Sequence, residues 1–220
     1  MSTVIAKTCG PGRPKDLEKR AAILAAAKQL FPQHGFEGTS MDAIASAAGV
    51  SKLTVYSHFS DKETLYVEAI RARCHEQLPE ELFDVAARGP LRQQLETIAR
   101  AFFSLITTDE AMALHRLLTS GAGASSKLAQ MFWEQGPKLI HAAFEKFLEA
   151  RTSAGELEIA DVQRASSQFF ALLKGELHAR MLCGCCDPIR KEEIDAHIHA
   201  TVDFFLRACG PRPRGVRPAT

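Results

Sequence analysis

The stretch from Thr39 to Phe59, TSMDAIASAAGVSKLTVYSHF, leaves this chain few ways to fold. Its pattern predicts two short helices joined by a tight turn. Ser51 stands at the start of the second, where a serine oxygen accepts a bond from an otherwise orphan amide. Thr39, with Asp42 three residues on, predicts a capping-box start for the first. Ala45, Ala48 and Gly49 are small where the helices must cross closely. Ile44, Val50, Val55 and Phe59 are apolar where they would touch. Lys52, Leu53, Thr54, Tyr56, Ser57 and His58 are left facing outward. A cation, hydroxyls, an imidazole and a phenol near one helix start suit phosphates and base edges. A helical hairpin packed for stability alone shows the same pattern, so the flanks must decide.

Ahead of the stretch, Ile23, Leu24, Ala27, Leu30 and Phe31 recur at helical spacing and predict a helix from about Asp16 to His34. Gly35 is the expected left-handed stop. Pro32 lacks an amide and crowds the preceding turn, so a kink or an early end is expected there. Residues 1–15 read as a disordered arm whose GRPK segment could carry Arg13 into a minor groove. Behind the stretch, Ser60 with Glu63 predicts a second capping box for a helix running to about Gln77. Lys62 falls in its first turn, where free amides and the dipole already attract phosphate.

The run GFEGTSMDAIASAAGVSKLTVYSHFSDKETLY, Gly35 to Tyr66, resembles the N-terminal domain of the TetR family of transcriptional regulators. The resemblance covers roughly the first third of the chain; the remainder matches the family in being helical and of the expected length. It implies a homodimeric, ligand-responsive regulator of double-stranded DNA, most often a repressor, with the helix from about Lys52 to Phe59 in a major groove. Thr39, Lys52, Tyr56 and Lys62 would hold phosphates, with Ser40 in the same contact set; Leu53, Thr54, Ser57 and His58 would face bases or sugar. Two heads would read a near-palindrome with half-sites about 34–36 Å apart or a multiple of that. A ligand that binds only a wider spacing of heads would release the DNA.

Beyond the head the chain reads as helix after helix. Residues 77–209 are expected to form a helical effector-binding and dimerisation domain, after a DNA-binding domain at 16–76 and before a disordered Pro- and Arg-rich tail at 210–220. Pro90 is expected as the first residue of one helix. GAGASS at 121–126 reads as a flexible turn, and Gly136-Pro137 either kinks or splits a long helical pattern. The last helix is expected to open with Asp187 as cap and Pro188 at its first position. No strand pattern is convincing. The fold class expected is all-α: a three-helix head with a connecting helix, then a larger helical bundle.

The resemblance implies that the last two long helices pair with their twins, and the wide apolar stripe offers Phe169, Leu173, Leu177, Ile194, Ile198, Val202 and Phe205 for that interface. It also implies an effector pocket. Candidates to line it are Phe102, Phe103, Met112, His115, Arg116, Phe132, Trp133, Phe169, Phe170, His178 and Met181, a mix suited to an apolar or aromatic ligand, with His115, Arg116 or His178 as polar anchors.

Net charge is +1 and the isoelectric point about 7.7, so overall charge does not announce a nucleic-acid binder. Lys and Arg outnumber Asp and Glu in the first 74 residues and are outnumbered beyond them. No apolar run is long enough to span a bilayer or serve as a signal peptide, so a cytoplasmic protein without a membrane partner is expected. Cys183, Cys185 and Cys186 raise a rival reading, a thiol- or metal-sensing regulator, because thiolates near histidines suit zinc or copper. His197 and His199 lie two apart on a helix and cannot chelate together. No glycine-rich phosphate loop, GxSxG elbow or HExxH occurs. Catalysis is not expected, nor a cofactor.

Overall fold

A computed structural model describes residues 13–84, 89–119, 126–185 and 189–211. The expected arm before Arg13, the glycine-rich turn up to Ser125, the cap pair Asp187-Pro188 and the tail from 212 onward lie outside these residues. Among the described residues, ten α-helices and one 3₁₀ turn make up the regular structure, and there is no strand. The chain divides into two compact units, residues 1–69 and 70–220.

The first unit is built on α1 (Arg13–Gly38), α2 (Met41–Ala47), α3 (Lys52–His58) and the start of α4 (Lys62–Gln77). The first helix already includes Arg13, so the backbone is helical where the arm was expected to continue. It also passes through Pro32 and breaks at Gly35, whose φ of +71° an L side chain rarely adopts. Phe36 then turns back, and Phe31, Phe36 and Tyr66 form one aromatic cluster, with Phe31 edge-on to Tyr66 at 4.6 Å. Ile23, Ile44, Val55 and Leu65 are completely buried, each side chain stabilising the unit by about 1.5–3 kcal/mol. Arg20 closes the side of this core. Its guanidinium lies over the Phe59 ring at 4.9 Å and donates to Glu68 at 3.0 Å.

Two expected caps are displaced by one residue. Ser40, not Thr39, caps α2 by accepting the Ala43 amide at 3.1 Å. Asp61, not Ser60, accepts the Thr64 amide at 2.7 Å at the start of α4. In each pair two adjacent residues carry side-chain acceptors, and the sequence does not say which one the backbone will present.

The second unit comprises the rest of α4, a 3₁₀ turn (Glu80–Phe83), α5 (Leu91–Ile106), α6 (Asp109–Thr119), α7 (Ser126–Gln135), α8 (Pro137–Ser153), α9 (Val162–Cys183) and α10 (Lys191–Cys209). Gly136 and Pro137 split the long helical pattern into α7 and α8. Pro90 is the N-cap of α5 rather than its first residue, and Arg190 is the N-cap of α10. The core centres on Phe144, stacked on Phe169 at 4.7 Å, with Phe205 edge-on to Phe169 at 5.0 Å.

The longest helix of this unit is broken inside. Gly175 adopts φ +46° and ψ −154° in the middle of α9. Two residues earlier the Leu173 carbonyl accepts a bond from His197 Nε2 of α10 at 2.8 Å. A carbonyl only accepts, so the proton of His197 sits on Nε2.

The outward face of α9 and α10 is not the one expected. Phe169, Leu173, Leu177, Ile198, Val202 and Phe205 are all buried within the one chain, and Ile194 is half-buried. These wide stripes turn inward to make the core, which removes them from any partner copy. Small residues are left outside: Ala171 beside Leu172 on α9, and Ala196, Ala200 and Ala208 beside Phe204 on α10.

Candidate functional site

The turn between α2 and α3 is a Schellman motif. Val50 N–H donates to Ala45 O at 3.0 Å and Gly49 N–H to Ser46 O at 3.2 Å, with Gly49 at φ +64°. Ser51 comes next as the cap of α3, accepting the Thr54 amide at 3.1 Å as its position predicts. Val55 and Phe59 are buried and anchor α3 from within. Leu53 is 81% exposed and Tyr56 43%. Lys52 and Ser57 are exposed beside them, with Thr54 and His58 half-buried at the edges.

The polar groups on this face are partly committed. Lys52 donates to Asp42 of α2 at 2.8 Å, and that bond, with the carboxylate's charge, raises the ammonium's pKa. The Ser57 hydroxyl donates to Thr54 O at 2.7 Å, which leaves its oxygen as an acceptor. Thr54 and Ser51 share a bond at 2.8 Å.

Two expected phosphate holders sit elsewhere. Thr39 is buried, and its hydroxyl donates to Gly35 O at 2.8 Å, so it closes the end of α1 and cannot reach DNA. Its hydroxyl is the natural partner of a carbonyl orphaned where α1 breaks. Lys62 donates to Phe36 O at 2.9 Å, lies over the Phe36 ring at 4.3 Å and approaches Glu37 at 3.9 Å. It therefore pins the overshoot of α1 to the start of α4, with other N–H groups unassigned to that bond.

In the second unit the structure draws together only some of the expected effector residues. His115 Nδ1 of α6 and His178 Nε2 of α9 share a hydrogen bond at 3.1 Å. Phe132 lies edge-on to His115 at 6.2 Å, and Phe102 packs on Phe170 at 4.5 Å. Phe103 and Phe169 belong instead to the buried core, as does Met112, while Met181 is half-buried. Arg116 is not an inward anchor. Its guanidinium donates to Met181 O at 2.9 Å and Leu182 O at 3.0 Å, closing the end of α9.

Three residues that sequence reasoning missed complete the group. His141 of α8 bonds the Ser166 hydroxyl at 3.1 Å, meets the Phe170 ring edge-on at 4.9 Å and lies 6.2 Å from Trp133. Lys174 lies on α9 between Phe170 and His178. Burial pulls the His115 imidazole down to about 4, with the charges of His178 and Lys174 adding to it. Burial lowers His141 and His178 as well, each helped by the Lys174 charge. Lys174 keeps access to solvent, yet enough protein surrounds it that lost hydration lowers its own pKa. The missed signal was spacing: Ser166 and Phe170 are four apart and share one face of α9 ahead of the break at Gly175.

Among the described residues no group of three or more His, Cys, Asp or Glu is arranged to hold a metal ion. Cys183 and Cys185 are exposed thiols, and Cys186 lies outside the described residues. His197 is bound to Leu173 O and His199 to Glu96. No described helix is long and apolar enough to cross a membrane.

A helix-turn-helix unit, followed by a second unit that is helical among the described residues, marks the class of DNA-binding regulators. Residues 23–69 match the family of bacterial regulatory proteins of the TetR type, and residues 93–211 match the C-terminal domain of AefR-like transcriptional repressors. The chain belongs to the TetR family. The transcriptional activator FasR of Mycolicibacterium smegmatis is 34% identical over 96 residues, 44% of this chain; the chain thus spans less than half, 43%, of that relative's length. A TetR-family regulator from Mesorhizobium loti superposes with a TM-score of 0.78 at 27% identity, covering 90% of this chain and 100% of the other. The flavonoid-responsive regulator FrrA superposes with a TM-score of 0.68 at 36% identity, covering 89% and 98%.

Proposed function

We propose that this chain is a ligand-responsive repressor that binds a near-palindromic operator as a homodimer. The observation that carries the reading is α3, held from within by Val55 and Phe59 while Leu53 and Tyr56 stand outward beside Lys52. A short helix so anchored enters a major groove with its N-terminal residues toward the bases. Lys52 and Tyr56 hold phosphates, with Ser40 at the start of α2 and Lys62 through an N–H not given to Phe36. Leu53, Thr54 and Ser57, with His58, face bases and sugar. Arg13 is assigned to the adjacent minor groove.

The C-terminal family's description as repressors supports the negative sense, and a promoter–reporter fusion tests it: expression that falls on deleting the gene would make this an activator. Dimerisation is assigned to the outward face of α9 and α10, with Phe204 at its centre. The effector is assigned to the second unit, and the name of FrrA supports an aromatic one. A DNA partner places the work in the cytoplasm.

The test is selection of bound genomic fragments, followed by titration of the recovered site. Nanomolar-range binding that falls steeply with salt is expected. Tyr56→Ala and Leu53→Ala should each weaken it, and a folded double variant with unchanged affinity overturns the assignment of α3.

A further inference from the structure

Gly175 divides α9 into two segments that different neighbours hold. Residues 162–174 belong with the core. Ser166 shares a hydrogen bond with His141 of α8 at 3.1 Å, Phe169 stacks on Phe144 at 4.7 Å, and Phe170 packs on Phe102 of α5 at 4.5 Å. Residues 176–183 are tied to α6. His178 shares its bond with His115, and Arg116 donates to the Met181 and Leu182 carbonyls at 2.9 and 3.0 Å. Leu177 is buried as well, an apolar contact without direction. Arg180 meets Glu193 of α10 at 3.0 Å, a partly exposed pair of the kind that holds weakly.

At the boundary one carbonyl has two possible donors. In an unbroken helix the carbonyl of residue 173 accepts from the amide of residue 177. Gly175, at φ +46° and ψ −154°, lies inside that hydrogen-bonded ring, and the Leu173 carbonyl accepts from His197 Nε2 at 2.8 Å. The imidazole packs against the break itself, since a Cβ on Gly175 would meet His197 Cε1 at 3.0 Å. We infer that α9 is a two-state helix with His197 as its latch. While His197 holds the Leu173 carbonyl the helix stays broken. When it lets go, the carbonyl returns to the Leu177 amide, α9 straightens, and residues 176–183 swing with α6 as one body. The effector residues fall on both sides: His115 and His178 with the moving body, Phe102, Phe170 and His141 with the fixed one. A ligand touching both groups binds one direction of α9 better and shifts the helix toward it. That step rests on the proposed effector role of the second unit; the latch does not.

Relaxation-dispersion NMR of the full-length protein, without DNA or effector, tests the latch, because it reports minor states that exchange in microseconds to milliseconds. In the parent, residues 173–183 and α6 should share one exchange process that residues 162–172 and α8 lack. The minor state should show helical carbon shifts at residues 174–176. His197→Leu keeps an apolar body against Phe103 and removes the donor. It should raise the minor population roughly 2- to 10-fold, the worth of one hydrogen bond. His197→Gln, whose amide can donate to the same carbonyl, should return it toward the parental value.

No exchange at residues 176–183 in His197→Leu overturns the inference. So does a minor state with unfolded rather than helical shifts, exchange spread over the whole of α9, exchange that leaves out α6, or a His197→Gln protein that behaves as His197→Leu does. If His197→Leu does not fold, the parent decides: a common process confined to residues 173–183 and α6 supports the hinge, and its absence overturns it. A protein that binds no DNA would instead sink the regulator reading and leave the latch standing.

Discussion

Gly175→Ala is the sharpest perturbation of the second unit, because two opposite views of α9 give it opposite outcomes. If the break at Gly175 is incidental, alanine there should restore a plain helix and stabilise the chain by about 1 kcal/mol. The geometry argues for the other sign. At φ +46° and ψ −154° a residue with a Cβ is strained by about 1–3 kcal/mol. A Cβ built there would meet His197 Cε1 at 3.0 Å, closer than carbons ordinarily pack. His197 cannot swing aside freely, because Nε2 donates to Leu173 O at 2.8 Å. Giving up that bond costs about 0.5–1.5 kcal/mol.

The expected destabilisation is about 2–4 kcal/mol from the strain and the lost bond together, or a drop of roughly 5–15 °C in Tm for a chain of this size. Thermal and urea unfolding of the full-length protein, at one fixed protein concentration because dimers couple to unfolding, measures it. Adding His197→Ala should return part of the loss, since the clash disappears while the strain stays. A Gly175→Ala protein as stable as the parent or more so would refute the reasoning, for α9 would then straighten at no cost.

Lys52→Ala should lower the slope of log affinity against log salt by about 1 per head; an unchanged slope means Lys52 stays with Asp42 and touches no phosphate. Phe204→Glu should shift the protein toward monomer in sedimentation equilibrium, because it puts a charge at the centre of the exposed α10 face; a dimer of parental strength places the interface elsewhere. His115 titrates near 4 when folded against an ordinary value near 6.5, so the unfolded chain binds more protons between those values. Its contribution to stability is therefore full above pH 6.5 and lost as pH falls toward 4, by about 2–3 kcal/mol at most. His115→Phe should flatten that slope in urea titrations at pH 7, 6 and 5, and identical slopes in parent and variant would show that burial does not hold His115 neutral.

Much of the head was legible in sequence because local chemistry decides it. Gly35 and Gly49 mark backbone turns that only their residue type takes easily, and Ser51 caps the helix that begins after it. The alternation of buried Val55 and Phe59 with exposed Leu53 and Tyr56 comes from helical spacing alone. The failures there were failures by one residue: Thr39 against Ser40, Ser60 against Asp61. Adjacent polar residues compete for one cap, and the winner depends on where the other is drawn. Thr39 is drawn to Gly35 O because the break in α1 leaves that carbonyl to be satisfied, a demand visible only once the break has a shape.

In the body the errors have a different origin. A stripe of Phe169, Leu173, Leu177, Ile198, Val202 and Phe205 says that α9 and α10 bury a broad face, but periodicity does not say against which surface. The fold turns that face onto the chain's own core, and leaves alanines and Phe204 outside. The same ambiguity hid the partners of Ser166 and His178, which turn inward to histidines on α8 and α6. Gly175 breaks α9 between those two residues, with α10 contacting the break through His197. A glycine inside a helical pattern reads only as a weak point, so no single spacing could carry the faces of α9 from one side of the break to the other.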